Sequence, residues 1–405
     1  MTVLKICFTT NSSPWTKFHG GGQIFVHNLA QHLVQRGHEV SVIYTGPFSV
    51  KERATPSCTY NLEWAPYIGY PYTGKVRQFN AFTVYHKLRS LFPTHKFHII
   101  NSVGSEAFLL PNLCKTHRCP LFISIEHPNL SSIRPKVSYR RPLQTLIQIA
   151  RWRELFLIRH ACRRAAGIFT PSNFTKSETR KYFGIEFKDI KVVKHGLADI
   201  MLDFTDSRRP DAAKGPLLFF GRFEHQKGVD LLIKAYAILL SEKVIGSRKL
   251  VLVGSGPDEK KYRKLIALLG INTRVEILGW KSQREIKSLL DKAGLCVLPS
   301  RSESFGLTIA EVLSQGIPLV TTDAGSLPEV VDRGKAGWMA NADNLKSLVL
   351  TIKEALENYS ESISKAHYGL KHARDAFSWA NAARAYEKTY LAVLSKTFHE
   401  THSKT

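Results

Sequence analysis

Short apolar runs that alternate with helically spaced apolar residues, twice over in one chain, predict an α/β protein of two Rossmann-like doubly wound domains facing a central cleft. Two further observations support that class. A charged, Pro- and Gly-containing break from Asp206 to Pro216 separates the two series, and glycines gather just after strand-like runs, where such sheets bind ligands.

In chain order, Val3 to Phe8 reads as a strand. Val26, Leu29, Ala30, Leu33 and Val34 then recur at helical spacing until Gly37-His38 stops the helix, and Val40 to Tyr44 is a second strand. This is a βαβ unit, for which a parallel pair and a right-handed crossover are expected. Strand candidates follow at Phe97 to Ile100, Leu121 to Ile125, Gly167 to Thr170 and Ile190 to Val193. After the break they resume at Leu217 to Phe220, Leu250 to Val253, Val275 to Leu278, Leu295 to Leu298 and Pro318 to Thr321. The first domain is expected over residues 1–205 and the second over 206–376.

A chain of 405 residues, 43% of them hydrophobic, can bury two cores. Neither a signal peptide nor an apolar stretch long enough to span a membrane stands out, so a cytoplasmic protein is expected. Six scattered cysteines read as reduced thiols; Cys114, His117 and Cys119 lie close in sequence, but no second cluster completes four metal ligands. Of the net charge of +24, +17 falls on residues 1–200. Such a field attracts phosphorylated substrates or an anionic membrane surface; nucleic acid is not expected, because no binding module accompanies the charge.

The stretch Pro299 to Glu311 organises the second series. It runs from a strand-like segment through a loop into a helix, with Glu303 and Glu311 eight residues apart. If Ser304 caps that helix, the amides of Phe305, Gly306 and Leu307 are free to hold a phosphate. Glu311 then lies roughly 9 Å further on, at about 1.5 Å per residue, a reach suited to a ribose. Glu303 would face a sugar. Gly221 to Gly228 is a second strand-to-helix loop, in which Arg222 and Lys227 would offset the charge of a diphosphate; two solvated loop cations are the plain alternative.

Other readings are excluded or weaker. Gly254-Ser255-Gly256-Pro257 has Glu259 where a dinucleotide fingerprint needs its third glycine, so it reads as a tight turn. Neither Gly-rich loop continues as a Walker element. His19-Gly20-Gly21-Gly22 resembles an esterase oxyanion loop but no nucleophile elbow accompanies it, which leaves Gly20, Gly21 and Gly22 as a point of close backbone approach. A glycosidase pair of Glu303 and Glu311 fits less well than a nucleotide site. His127 ends a strand where a cleft residue would stand. A helix from Pro142 to Gly167 carries Arg151, Arg153, Arg159 and Arg163, with Trp152 and Phe156 among them, and suits either an anionic membrane surface or a neighbouring helix.

These motifs, in this order, resemble the family 4 retaining glycosyltransferases of the GT-B fold over nearly the whole chain. The resemblance rests on Gly20 to Gly22, Gly37 to Val40, Pro171-Ser172, Gly221-Arg222 with Lys227-Gly228, Gly254 to Gly256, and above all Glu303 to Glu311. It implies transfer of a sugar from a nucleoside diphosphate donor to an acceptor hydroxyl of a glycan or lipid-linked molecule, with retention of configuration and no metal or other cofactor. Arg222, Lys227 and the amides of Phe305, Gly306 and Leu307 would hold the diphosphate, Glu303 the sugar and Glu311 the ribose, with His127 at the reacting centre. Residues 377–405, from Phe377-Ser378-Trp379, match the tail that crosses back to the first domain. His195-Gly196-Leu197 departs from the usual Asn-Gly-Val, and Asp323 to Ser326 from a Gly-Gly pair. An epimerase or phosphorylase on the same fold, and a polyanion-binding protein without catalysis, are the alternatives.

Overall fold

The computed structural model describes residues 2–10, 14, 21–46, 58–67, 80–126, 156–185, 190–203 and 214–402, with side chains as far as residue 396. The chain forms two compact units, residues 1–195 with 379–405, and residues 196–378. The crossing therefore falls at Gly196 and not at Asp206. The reason is packing: Leu197 and Met201 are buried in the core of the second unit, and the Leu197 amide donates to the Phe377 carbonyl at 3.1 Å. Trp379, by contrast, is buried in the first unit.

The first unit is built on strands β1 (Lys5–Thr10), β2 (Glu39–Gly46), β3 (Asn61–Pro66), β4 (Ile99–Val103), β5 (Leu121–Ser124), β6 (Gly167–Thr170) and β7 (Ile190–Val192). They pair in parallel in the order β3-β2-β1-β4-β5-β6-β7. Both faces are covered, which is why the inner strands read as continuous apolar runs instead of alternating. One face packs Phe25, Leu29 and Leu33 of the helix Gly21–Gln35 together with Ala383, Tyr386 and Tyr390 of the final helix Trp379–His402. Glu387 fixes that final helix: it accepts from Arg36 Nε at 2.7 Å and lies 3.3 Å from His38 Nε2, while His38 Nδ1 accepts the Leu4 amide at 3.2 Å.

The second unit carries β8 (Leu217–Phe220), β9 (Leu250–Val253), β10 (Val275–Ile277), β11 (Leu295–Val297), β12 (Leu319–Thr322) and β13 (Trp338–Ala340), parallel in the order β10-β9-β8-β11-β12-β13. Its helix Val229–Ser241 buries Val229, Leu232, Ile233, Tyr236 and Leu239 on one face. Strands β3 and β13, both at sheet edges, were not among those expected from the sequence. In each sheet the strand order reverses once, between β1 and β4 and between β8 and β11. Connections leave those neighbouring strands in opposite directions and open a crevice at their carboxyl ends.

Candidate functional site

In the second unit, the loop after β8 and the loop after β11 meet at this reversal. The first brings Arg222 and Lys227, the second Glu303. Glycines let the backbones touch, Gly228 between these two loops and Gly325, which follows β12, against the second of them. Gly228 has φ 69°, and a Cβ there would stand 2.0 Å from the Pro299 carbonyl oxygen; Gly325 has φ 60°, and its Cβ would stand 2.2 Å from that of Glu303. The turn at Gly254 to Gly256 is structural, as its sequence suggested: Ser255 O accepts the Phe223 amide at 2.9 Å, and Phe223 O accepts that of Asp258 at 3.1 Å.

Lys227 Nζ forms an ion pair with Glu303 Oε1, which also accepts from Ser300 Oγ at 3.0 Å. Glu303 is buried, so pairing is what makes its charge tolerable there. Arg222 is exposed and forms an ion pair with Glu224 two residues away. The ammonium of Lys227 has three protons, so it can hold Glu303 and still donate to a second oxyanion. The Arg222 pair lies in solvent and is cheap to exchange.

Arg301, which the sequence did not single out, is the strut between these loops. Its backbone amide donates to Gln226 O at 2.7 Å, and its guanidinium to His225 O at 2.7 Å, to Asp230 at 2.7 and 2.9 Å and to Asp343 at 2.5 Å. Burial alone would raise the Asp230 carboxyl, but the bonds and charge of Arg301 hold it below the usual carboxylate range. A lone Arg in a serine-rich loop gives no periodic signal. Its role emerges only when strands distant in sequence become neighbours.

Ser304 does not cap the following helix. The helix is Leu307–Ser314 and its N-cap is Gly306, at φ 90°, without a side-chain cap. The backbone at φ 90° is one that side-chain-bearing residues rarely adopt, and a Cβ there would also come 2.6 Å from Leu327 Cδ2, so the turn calls for glycine. The Gly306 carbonyl takes the Ile309 and Ala310 amides, which leaves those of Leu307 and Thr308 to open the helix. Phe305 turns its ring into the core, 5.5 Å from Phe377. Glu311, on the same helix, accepts a hydrogen bond from Gln283, and burial pushes its carboxyl up to about 7.

In the first unit, Gly21 and Gly22 open the helix Gly21–Gln35 next to the β1/β4 reversal; a Cβ on Gly22 would lie 3.9 Å from Val103 Cγ1 of β4. Gly20, His127, Arg151 and Arg153 lie outside the described residues. Arg159 is half-buried, its Nε donating to the Phe183 carbonyl at 3.2 Å, so it serves a helix end; Arg163 is exposed. His117 stacks on Phe92 at 3.9 Å, and among the described residues no three His, Cys, Asp or Glu groups converge as metal ligands. None of the six cysteines forms a disulfide. Among the described residues no helix is long and apolar enough to cross a membrane.

Two family models match the chain: Glycosyltransferase Family 4 over residues 19–198, and Glycosyl transferases group 1 over residues 205–371. A glycogen synthase of Mycobacterium tuberculosis is 28% identical over 237 residues, 57% of this chain and 55% of that protein, so the chain matches about half the length of that relative. An uncharacterised glycosyltransferase of Methanocaldococcus jannaschii is 25% identical over 398 residues, 96% of this chain and 98% of its own. Among solved structures, HepE of Anabaena, in complex with UDP and glucose, superposes with a TM-score of 0.72 at 18% identity, covering 96% of this chain and 100% of that one. With two parallel doubly wound sheets and family models matching most of its length, the chain belongs to the family 4 glycosyltransferases and has the GT-B fold.

Proposed function

We propose that this chain transfers a sugar from a nucleoside diphosphate sugar to an acceptor hydroxyl, retaining the anomeric configuration and using no metal ion. The observation that carries the reading is the meeting of Lys227 and Glu303 at the β8/β11 reversal, beside the start of the helix Leu307–Ser314. A uridine diphosphate donor is favoured, because HepE binds UDP. Lys227 and Arg222 would offset the charge that develops on the leaving diphosphate, helped by the amides at the helix start. Glu303 would hold the sugar and Glu311 the ribose. The bond from the anomeric carbon to phosphate oxygen breaks as the bond to the acceptor oxygen forms, and the acceptor proton passes to the diphosphate. His127 would line the reacting centre, and the Gly20 to Gly22 loop would attend the acceptor, a glycan or lipid-linked molecule. Arg151, Arg153 and Arg163 would bring the chain to an anionic membrane surface, Arg159 being committed to a helix end.

A thermal-shift screen of uridine, guanosine and adenosine diphosphate sugars tests this, followed by turnover of the stabilising donor with and without EDTA. One donor should raise the melting temperature and lose that effect in Lys227→Ala. Turnover should survive EDTA, and the product should show the donor's anomeric configuration by NMR. Product formed without an acceptor, or only with free phosphate, would favour the epimerase or phosphorylase instead.

A further inference from the structure

One side chain decides where Lys227 stands against Glu303. Lys227 closes the short 3-10 helix His225–Lys227, and the two carbonyls just ahead of it both accept from Arg301. The guanidinium donates to His225 O and the backbone amide to Gln226 O, each at 2.7 Å. Glu303 lies two residues past Arg301 on the loop after β11. The turn that carries Lys227 is thus suspended from the loop that carries Glu303, and Arg301 is the point of suspension.

Asp230 fixes the plane of that guanidinium. It lies in the first turn of the helix Val229–Ser241 and takes the Arg301 fork on both oxygens, at 2.7 and 2.9 Å, while Nε donates to Asp343 in the loop after β13 at 2.5 Å. A lysine, as a point charge, could not hold two carboxylates and a carbonyl in one plane. Burial alone would lower the Arg301 guanidinium, but its bonds to Asp230 and Asp343, and their charges, raise it, so it stays cationic. It is also the least exposed cation of this edge: its side chain is 11% exposed, against 24% for Lys227 and 63% for Arg222. Arg301 is committed within the protein, whereas Lys227 and Arg222 keep donors for an arriving oxyanion.

We infer that Arg301 is a positioning residue for the transfer reaction: held by Asp230, it sets the turn that presents Lys227, and it acts through Lys227 without touching the donor. The kinetic part of this rests on the proposed function and the structural part does not. Hydrogen exchange on the full-length chain reads the structural part without substrate. Arg301→Met should speed exchange by about tenfold or more in residues 222–230 and 299–305, while peptides of β10 and of the helix Gln283–Leu290 stay unchanged. Unchanged exchange in those two loops, or loss spread evenly over the second unit, overturns the inference. Should the stranded Asp230 charge keep Arg301→Met from folding, the pair Arg301→Gln with Asp230→Asn strands no charge, still lacks the fork, and carries the same expectations.

With the donor found by thermal shift, Arg301→Met should lower kcat about 100-fold, the cost of a small misplacement of a reacting group. In the Lys227→Ala background the same substitution should lower kcat by less than about threefold further, because the group it positions is already gone. A loss that multiplies in full in that background would mean that Arg301 meets the donor itself or acts by another route, and overturns the positioning role. Wild-type protein that turns over no nucleoside diphosphate sugar sinks the transfer reading, and the exchange measurement alone then decides whether Arg301 holds the Lys227 turn.

Discussion

The two sheets share one topology, yet their ligand edges are built from opposite materials. In the second unit the edge is ionic and partly wet: Lys227 with Glu303, Arg222 with Glu224, and Arg301 with Asp230 and Asp343, all on loops except Asp230, in the first turn of the helix Val229–Ser241. In the first unit the described part of the edge is a buried network in which Asn101, Ser124, Tyr386 and Tyr390 exchange hydrogen bonds under the Glu126 and His195 pair. Charges on loops can change partner when a phosphate arrives. A buried network cannot, since each of its members would be left unsatisfied. The first design suits binding a polyanion and the second suits holding a fixed shape.

Removing the charges of this edge should therefore cost activity, with little loss of stability where the pair lies in solvent, as at Arg222, and more at Lys227, whose removal strands buried Glu303. Lys227→Ala and Arg222→Ala are each expected to lower kcat by about 10²–10³-fold, the range for losing one preorganised donor to a developing anion. The urea midpoint should move little for exposed Arg222. Turnover unchanged in both variants would show that the charged loops are not the donor site.

Breaking a buried ion pair at the opposite end of the first sheet, where β1 and β2 begin, should do the reverse. Glu387→Ala leaves Arg36 and His38 without their shared carboxylate beside the first sheet, and should cost about 3 kcal/mol, the low end for breaking a buried ion pair. Urea unfolding reads this as a lower midpoint. Donor-induced stabilisation, which the proposed function assigns to the second unit, should survive. Loss of donor binding in this variant would mean that the two units are not independent in stability.

How much of this was legible beforehand follows from the same contrast. Eleven of the thirteen described strands overlap the apolar runs read from the sequence, because a strand covered on both faces leaves no alternation to misread. The two exceptions are edge strands. Asn61–Pro66 carries Glu63 and Pro66, and Trp338–Ala340 is only three residues long. Lys227 and Glu303 were legible because each sits in a Gly-punctuated loop after a strand. Arg301, Glu126 and His195 were not recognised as partners, since their meaning lies in what they touch across 71 residues, from Asp230 to Arg301, or 69, from Glu126 to His195. A serine before a helix is the usual cap signal and points to Ser304, whereas the left-handed backbone at the start of this helix selects Gly306.

The smallest expected effect lies where the two materials mix, at Glu311, a carboxylate of the ionic edge that burial raises from 4.5 to about 7. Between those values the folded chain binds more protons than the unfolded one, so stability is greatest below 4.5 and falls as pH rises through 7. Glu311→Gln keeps the size and the bond to Gln283 and removes that slope. It should therefore match the wild type near pH 4.5 and exceed it by about 1 kcal/mol at pH 8, a value kept small because the side chain is partly open to solvent. If Glu311 accepts from the donor's ribose, the same proton competes with the donor. Wild-type donor affinity should then weaken by up to about tenfold per pH unit below 7, while that of Glu311→Gln is weaker than the wild type at pH 8 and does not follow this titration. A wild-type affinity that holds constant from pH 5.5 to about 8 would separate Glu311 from the donor and leave its burial as a purely structural cost.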